Sequence, residues 1–166
     1  MKRVLLSRRL ELVPINFIDA DKLLSLLRND KVKQYLCDNK EIEKDEVIRI
    51  VSGSESLFDA MDIGLWWIRI LESFEIIGFC GFFRGEIIEI IYVIHPDHQR
   101  KGFATEATKR LVEYYQLLNL KEDIYAKIDE PNVESIIIAE KIGMAETGKE
   151  TNPFTNGPMK VFTLKI

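Results

Sequence analysis

The segment Glu86 to His95 constrains this chain most. It reads Glu-Ile-Ile-Glu-Ile-Ile-Tyr-Val-Ile-His. Side chains of a strand alternate between two faces, and here both faces are apolar. Such a strand needs cover on each side, so it belongs in the centre of a sheet with helices above and below. Pro96 ends it, because proline has no N–H to give a ladder. At Phe103 the period changes. Ala104, Ala107, Thr108, Leu111, Tyr114, Tyr115 and Leu118 recur at helical spacing and predict a long helix to about Asn119.

The rest of the chain supplies the sheet and its cover. Arg9 to Pro14 alternates polar and apolar, as a first strand does. Asp19-Ala20-Asp21 offers caps for a short helix through Leu23, Leu24, Leu26 and Leu27. Val47, Ile48 and Val51 predict a second helical stretch from about Lys44 to Val51. Leu65–Leu71 and Phe74–Phe83 flank the turn-like Glu72-Ser73 and read as a hairpin. Asp123–Ile128 is a short strand, and Val133–Ile142 is a helix stopped by Gly143. Ala145–Thr151 and Met159–Ile166 close the chain as strands, joined by a turn over Asn152–Pro158. The order β-αα-βββ-α-β-α-ββ predicts an α/β fold: a mixed central sheet of about seven strands with helices on both faces.

Composition sets the outer bounds. The 166 residues contain no repeat and no Pro/Gly/Ser-rich linker, so a single domain over 1–166 is expected. With 46% hydrophobic residues the chain can bury a core without a disulfide or metal staple. A net charge of −4 gives no nucleic-acid footprint. The most apolar stretch, Gly64 to Phe83, is broken by Arg69, Glu72 and Glu75, and reads as strands rather than a membrane span. The apolar run near Met1 is too short for a signal peptide. A soluble, cytoplasmic protein follows as the expectation. Cys37 and Cys80 make no metal-type pair and are expected as reduced thiols. His95 and His98 lack the spacing of a metal site or a triad, so loop or surface roles, and no metal, are expected.

The most informative segment joins the central strand to the long helix: His95-Pro96-Asp97-His98-Gln99-Arg100-Lys101-Gly102-Phe103-Ala104-Thr105-Glu106-Ala107. The first N–H groups of a helix have no partner inside it, and the helix dipole is positive there. A glycine lets backbone approach an anion closely, and Arg100 and Lys101 add charge. These features make a phosphate or pyrophosphate cradle. The same residues also suit a plain strand-to-helix turn with solvated basic side chains. Neither G-x-x-x-x-G-K-[ST] nor G-x-G-x-x-G is present, which argues against a P-loop nucleotidase and a Rossmann dehydrogenase.

Gln99-Arg100-Lys101-Gly102-Phe103-Ala104 resembles the Q/R-x-x-G-x-G/A signature of the GNAT acyltransferase superfamily. Asn132-Val133-Glu134-Ser135 leading to Glu140-Lys141-Ile142-Gly143-Met144 is similar to the family's second motif, N-x-x-S followed by E-K-x-G-F. Trp66-Trp67, Ile77-Gly78-Phe79 and Arg8-Arg9-Leu10-Glu11-Leu12 resemble the branch that acetylates N-termini of ribosomal proteins. The resemblance implies an acetyl-CoA-dependent N-acetyltransferase working by direct attack, with no acyl-enzyme intermediate. It implies that Gln99, Arg100, Lys101, Gly102, Phe103, Ala104 and Thr105 hold the pyrophosphate of acetyl-CoA. Tyr92, Val93 and Ile94 would hydrogen-bond the pantetheine arm, with Asn132 near it, and Lys141 is a further cofactor-binding residue.

Acetyl transfer to an amine needs a neutral nucleophile, stabilisation of an oxyanion and a tolerable thiolate leaving group. Glu89, in an apolar run, is the candidate base; its alternative is a strand-edge carboxylate paired with a basic neighbour. Asn132 follows Pro131 and suits a helix N-cap, a role compatible with one near the pantetheine. Ser135 is the candidate proton donor to the thiolate, or else a backbone-bonded serine in a first helical turn. Many family members carry a tyrosine acid where this chain has Ala139, so Ser135, Tyr92 or a water would substitute, or no acid is used. Trp66 and Trp67 point to opposite faces, so at most one lines the acceptor cleft. Glu150 and Phe154 are further candidates near that cleft.

The acceptor is expected to be a primary amine, with a protein N-terminus first and a polyamine or aminoglycoside next. A non-catalytic acyl-CoA sensor and a plain scaffold are the competing classes. Acetyl-CoA and the amine are the expected partners, with no nucleic acid and no membrane. A homodimer stays open, and nothing in the sequence encodes it.

Overall fold

A computed structural model describes residues 3–36, 38 and 40–166. Cys37 lies outside them, so its expected reduced state is not addressed. The chain runs β1 (Leu5–Leu6), β2 (Leu10–Pro14), α1 (Ala20–Leu27), α2 (Asp30–Leu36), α3 (Lys44–Met61), β3 (Leu65–Ile70), β4 (Ile76–Arg84) and β5 (Ile88–Ile94). It continues with α4 (Phe103–Leu117), β6 (Ile124–Asp129), α5 (Val133–Lys141), β7 (Ala145–Thr151) and β8 (Pro158–Leu164).

The strands form one sheet in the order β1-β2-β3-β4-β5-β6-β8-β7. Every neighbouring pair is antiparallel except β5 and β6. The apolar pattern of β5 explains its central place. Ile88, Ile90 and Ile94 enter the core that α4, α5 and the end of α3 cover. Ile91 and Val93 face the opposite core, built on α1, α2 and the start of α3. Fully burying one such side chain stabilises the fold by about 1.5–3 kcal/mol.

Three elements exceed the sequence reading. The two-residue β1 makes the sheet eight-stranded. The α2 helix lies between the two predicted helices, where the sequence reading placed no element. The α3 helix runs on to Met61, because Ser54 and Phe58 continue the buried spacing of Val47 and Val51. Asp62, left-handed at φ 59°, ends it. Trp66 and Trp67 do point to opposite faces, and both are core. Trp66 packs edge-on to Phe58 and Tyr114 on the α4 side, and Trp67 packs on Phe79 on the other. Neither lines the cleft described below. Among the described residues no helix is long and apolar enough to cross a membrane.

The feature that positions the site is a parting of the sheet. β5 and β6 pair only at Ile88 with Ile124 and Glu89 with Tyr125. Beyond that register the two strands separate, while each stays paired on its far side with β4 or β8. The separating edges carry backbone donors and acceptors that the sheet does not use.

Candidate active site

The parted strands open into a cleft of about 1030 Å³. One end is the turn into α4. Arg100 and Gly102 are both left-handed there, at φ 61° and 79°. The helical ladder of α4 starts with the Glu106 N–H donating to the Gly102 carbonyl at 3.1 Å. The N–H groups of Phe103, Ala104 and Thr105 therefore have no acceptor four residues back within the helix. Gln99 donates from Nε2 to the Ile94 carbonyl at 3.1 Å, which ties the turn to the end of β5. Arg100 reaches across the mouth to Glu134 on α5, Nε to Oε1 2.9 Å.

Gln99, Arg100, Gly102, Phe103, Ala104 and Thr105 all line the cleft, and Lys101 does not. The Lys101 ammonium turns back to donate to the Asp97 carbonyl at 2.9 Å. Neighbouring basic residues thus diverge because Arg100 is left-handed, which rotates the chain between them.

A brace behind the turn escaped the sequence reading. The Glu106 carboxylate accepts from the Ser7 hydroxyl at 2.9 Å, the Arg9 N–H at 2.7 Å and the Arg9 Nε at 2.7 Å. Arg9 Nη1 also donates to the Lys101 carbonyl at 3.1 Å, and its guanidinium lies 4.5 Å from the Phe103 ring centroid. Burial alone would raise the Glu106 pKa, but the Arg9 and Ser7 hydrogen bonds outweigh it and hold the carboxyl below the usual carboxylate range. Its stabilising contribution is therefore complete above an unfolded value of about 4.3 and is lost as pH falls through the lower folded value. Glu106→Gln is expected to cost about 1–3 kcal/mol at pH 7 and progressively less toward pH 3, as urea unfolding across that range will measure.

In the middle of the cleft, Tyr92, Val93 and Ile94 line one wall and α5 the other. Asn132 is the N-cap of α5, its Oδ1 accepting from the Ser135 N–H at 3.3 Å, and both residues line the cleft. Tyr92 donates its hydroxyl to the Ser135 carbonyl at 2.8 Å, bridging β5 to α5. Burial pushes the Tyr92 pKa up, so the phenol stays protonated. Lys141, in the last turn of α5, also lines the cleft. Ala139 is wholly buried and does not line the cleft.

The far end holds Glu89, half-buried on β5. Burial raises its carboxyl pKa; Lys127 opposes that rise and Glu150 adds to it. Lys127 is ion-paired with Glu150, Nζ to Oε2 2.9 Å. Lys31, Val32 and Gln34 of α2 and Phe154 from the β7–β8 loop line the same cleft. Asn152 holds that loop in place. Its Nδ2 donates to Asp38 at 2.7 Å and Asp129 at 3.1 Å, and its Oδ1 accepts from the Phe154 and Thr155 N–H groups. The acceptor cleft was expected to be built from loops around Asn29–Lys44 and Asn152–Pro158; the helix α2 within the first and the Asn152 bonds within the second went unread, and the signal for Asn152 was its Asx-turn spacing before Pro153 and Phe154.

Of the histidines, His98 lines the cleft and meets Glu75 at 3.1 Å, and His95 caps the short 3-10 turn Pro96–His98. Cys80 is buried, and burial raises its thiol pKa, so it is no nucleophile.

The model of the Acetyltransferase (GNAT) domain family matches residues 9–145. The uncharacterized N-acetyltransferase p20 of Bacillus licheniformis is 28% identical over 149 residues, covering 87% of this chain and 83% of that protein. Among solved structures, an acetyltransferase from Agrobacterium tumefaciens superposes with a TM-score of 0.84 at 18% identity, covering 100% of this chain and 96% of that one. The ribosomal L7/L12 α-N-protein acetyltransferase RimL, in complex with coenzyme A, superposes with a TM-score of 0.83 at 16% identity, covering 99% and 98%. A parted parallel strand pair, a glycine turn opening a helix at its end and a family match over most of the chain agree: this protein belongs to the GNAT family of N-acetyltransferases.

Proposed function

We propose that the protein, acting as one domain in the cytoplasm, moves an acetyl group from acetyl-CoA to a protein N-terminal α-amino group by direct attack. The observation that carries this is the parting of β5 from β6, with the glycine turn at one end and the half-buried Glu89 at the other. The pyrophosphate sits on the N–H groups of Phe103, Ala104 and Thr105, with Gln99, Arg100, Lys101 and Gly102 shaping and charging the turn. The pantetheine runs along the open edge of Tyr92, Val93 and Ile94, flanked by Asn132 and Lys141. RimL, of the same fold, carries coenzyme A in its structure, which supports acetyl-CoA as the donor.

The chemistry follows from the pKa of the acceptor. An α-amino group titrates at about 7.7–8.0 and a lysine amine at about 10.4. The former needs only a base of modest strength, which suits a carboxylate whose pKa burial has raised. The amine nitrogen bonds to the thioester carbon, its proton passes to Glu89, and the C–S bond breaks. The departing thiolate takes a proton from the Ser135 hydroxyl, which solvent restores. Without a tyrosine at Ala139, this last transfer adds little, since a free thiol has a pKa of only about 8.5.

A second reading is favoured by the carboxylates Asp38, Glu89 and Asp129 on the cleft wall, which suit a small polycationic amine. Thiol release from acetyl-CoA, followed with a panel of peptides, spermidine and an aminoglycoside, separates the two. Peptide turnover that disappears when the N-terminus is formylated supports the proposal. Turnover of spermidine or the aminoglycoside alone replaces it with the second reading, and no turnover with any acceptor contradicts both.

A further inference from the structure

Glu89, Lys127 and Glu150 stand on three strands of the sheet and share one face at the point where it parts. Glu89 pairs in register with Tyr125, and Lys127 lies two residues on, on the same face as Tyr125. That makes Lys127 the diagonal neighbour of Glu89 across the parallel pair. Lys127 is opposite Val161 on β8, and Glu150 is opposite Met159 on the same strand. The Lys127 ammonium crosses β8 to meet Glu150 at 2.9 Å. The Lys127 cation is thus drawn toward β7.

We infer that Lys127 and Glu150 act together as positioning residues that set the proton affinity of Glu89, and so the pH at which it can accept a proton from the amine. The inference rests on the proposed role of Glu89. The three charges read minus, plus, minus in line. Glu150 spends most of the Lys127 charge, so Glu89 keeps a burial-raised affinity instead of becoming a tightly paired, feebly basic carboxylate. The other elements around Glu89 leave the triad in control. β4 places Phe83 opposite it and β6 places Tyr125 opposite it, while Val161 and Met159 of β8 lie one strand further on, opposite Lys127 and Glu150. Asp38 and Asp129, which line the cleft, are each bonded to the Asn152 amide, and Lys31 of α2 lines the cleft as well. The arrangement also keeps the Lys127 ammonium from repelling an incoming amine.

The test is a carbon-13 titration of the Glu89 carboxyl in the whole protein, with no acceptor needed. Glu150→Gln releases Lys127 onto Glu89 and is expected to lower the midpoint by about 0.5–1 unit. Lys127→Met leaves two like charges and is expected to raise it by about the same amount. Glu146→Gln, which removes the carboxylate paired with Lys160, leaves it in place. Lys127 and Glu150 are part exposed, so neither change threatens folding. Midpoints that stay put, or move in one direction for both variants, overturn the inference. The role of Glu89 fails separately. If Glu89→Gln keeps both titrations in the acid limb of acetyl transfer while the two midpoints split, the control of Glu89 stands and its role as base does not.

Discussion

Glu89→Gln is expected to lower kcat for acetyl transfer by about a hundredfold or more and to reduce the acid limb of the pH–rate profile from two titrating groups to one. The amide keeps the shape of the carboxyl but accepts no proton from the amine. In the native protein, burial raises the Glu89 pKa, with Glu150 adding to the rise and Lys127 opposing it. The rate must then fall as pH drops through that raised value, where the base becomes protonated. Only the titration of the acceptor amine remains in the variant. Stability moves the other way. A carboxyl whose folded pKa lies above its unfolded value contributes fully below the unfolded value and loses that contribution as pH rises through the folded one. At neutral pH the charged Glu89 is therefore a burden on the fold, and Glu89→Gln is expected to melt at an equal or higher temperature. Loss of rate together with gain of stability marks a group kept for chemistry. A profile that still shows both titrations in its acid limb removes Glu89 as the base.

Gly102→Val is expected to weaken acetyl-CoA binding by about tenfold or more, equivalent to about 1.4 kcal/mol. Gly102 holds φ 79°, a region that costs a β-branched residue about 1–3 kcal/mol. Space is not the obstacle, because the nearest atom to an added Cβ is the Arg9 Nη2 at 3.5 Å. The strain is instead relieved by turning the backbone, and the N–H groups of Phe103 to Thr105 turn with it. Gly102→Ala, with less strain, is expected to fall between the two. Calorimetric melting separates this from unfolding, since only the turn is disturbed. Unchanged affinity in Gly102→Val places the pyrophosphate elsewhere.

Much of this was readable from the residues. β5 declared itself by being apolar on both faces, and α4 by the change of period after Gly102. The N-cap role of Asn132 followed from its place after Pro131. Short elements were not readable. In the described part of α2, Val32 is the buried apolar side chain, and seven residues make under two turns, too few for a period. The second half of α3 hid behind Ser52, Gly53, Ser54 and Ser56, whose helical bias is weak. The site divides in the same way. Its strand and turn residues follow from local pattern, and all of the cofactor candidates but Lys101 reach the cleft. The contacts that support them do not follow. Arg9 and Glu106 are far apart in the chain and meet only because β2 and α4 pack together. Lys127 and Glu150 meet because β8 inserts between β6 and β7, an order no local signal encodes.

The central claim is that the opening between β5 and β6 is the seat of acetyl-CoA. Equilibrium dialysis of radiolabelled acetyl-CoA against the intact protein measures it without any knowledge of the acceptor. One molecule held per chain, displaced by unlabelled coenzyme A and lost in Gly102→Val, is the predicted result. Equal label on both sides of the membrane at micromolar protein contradicts it.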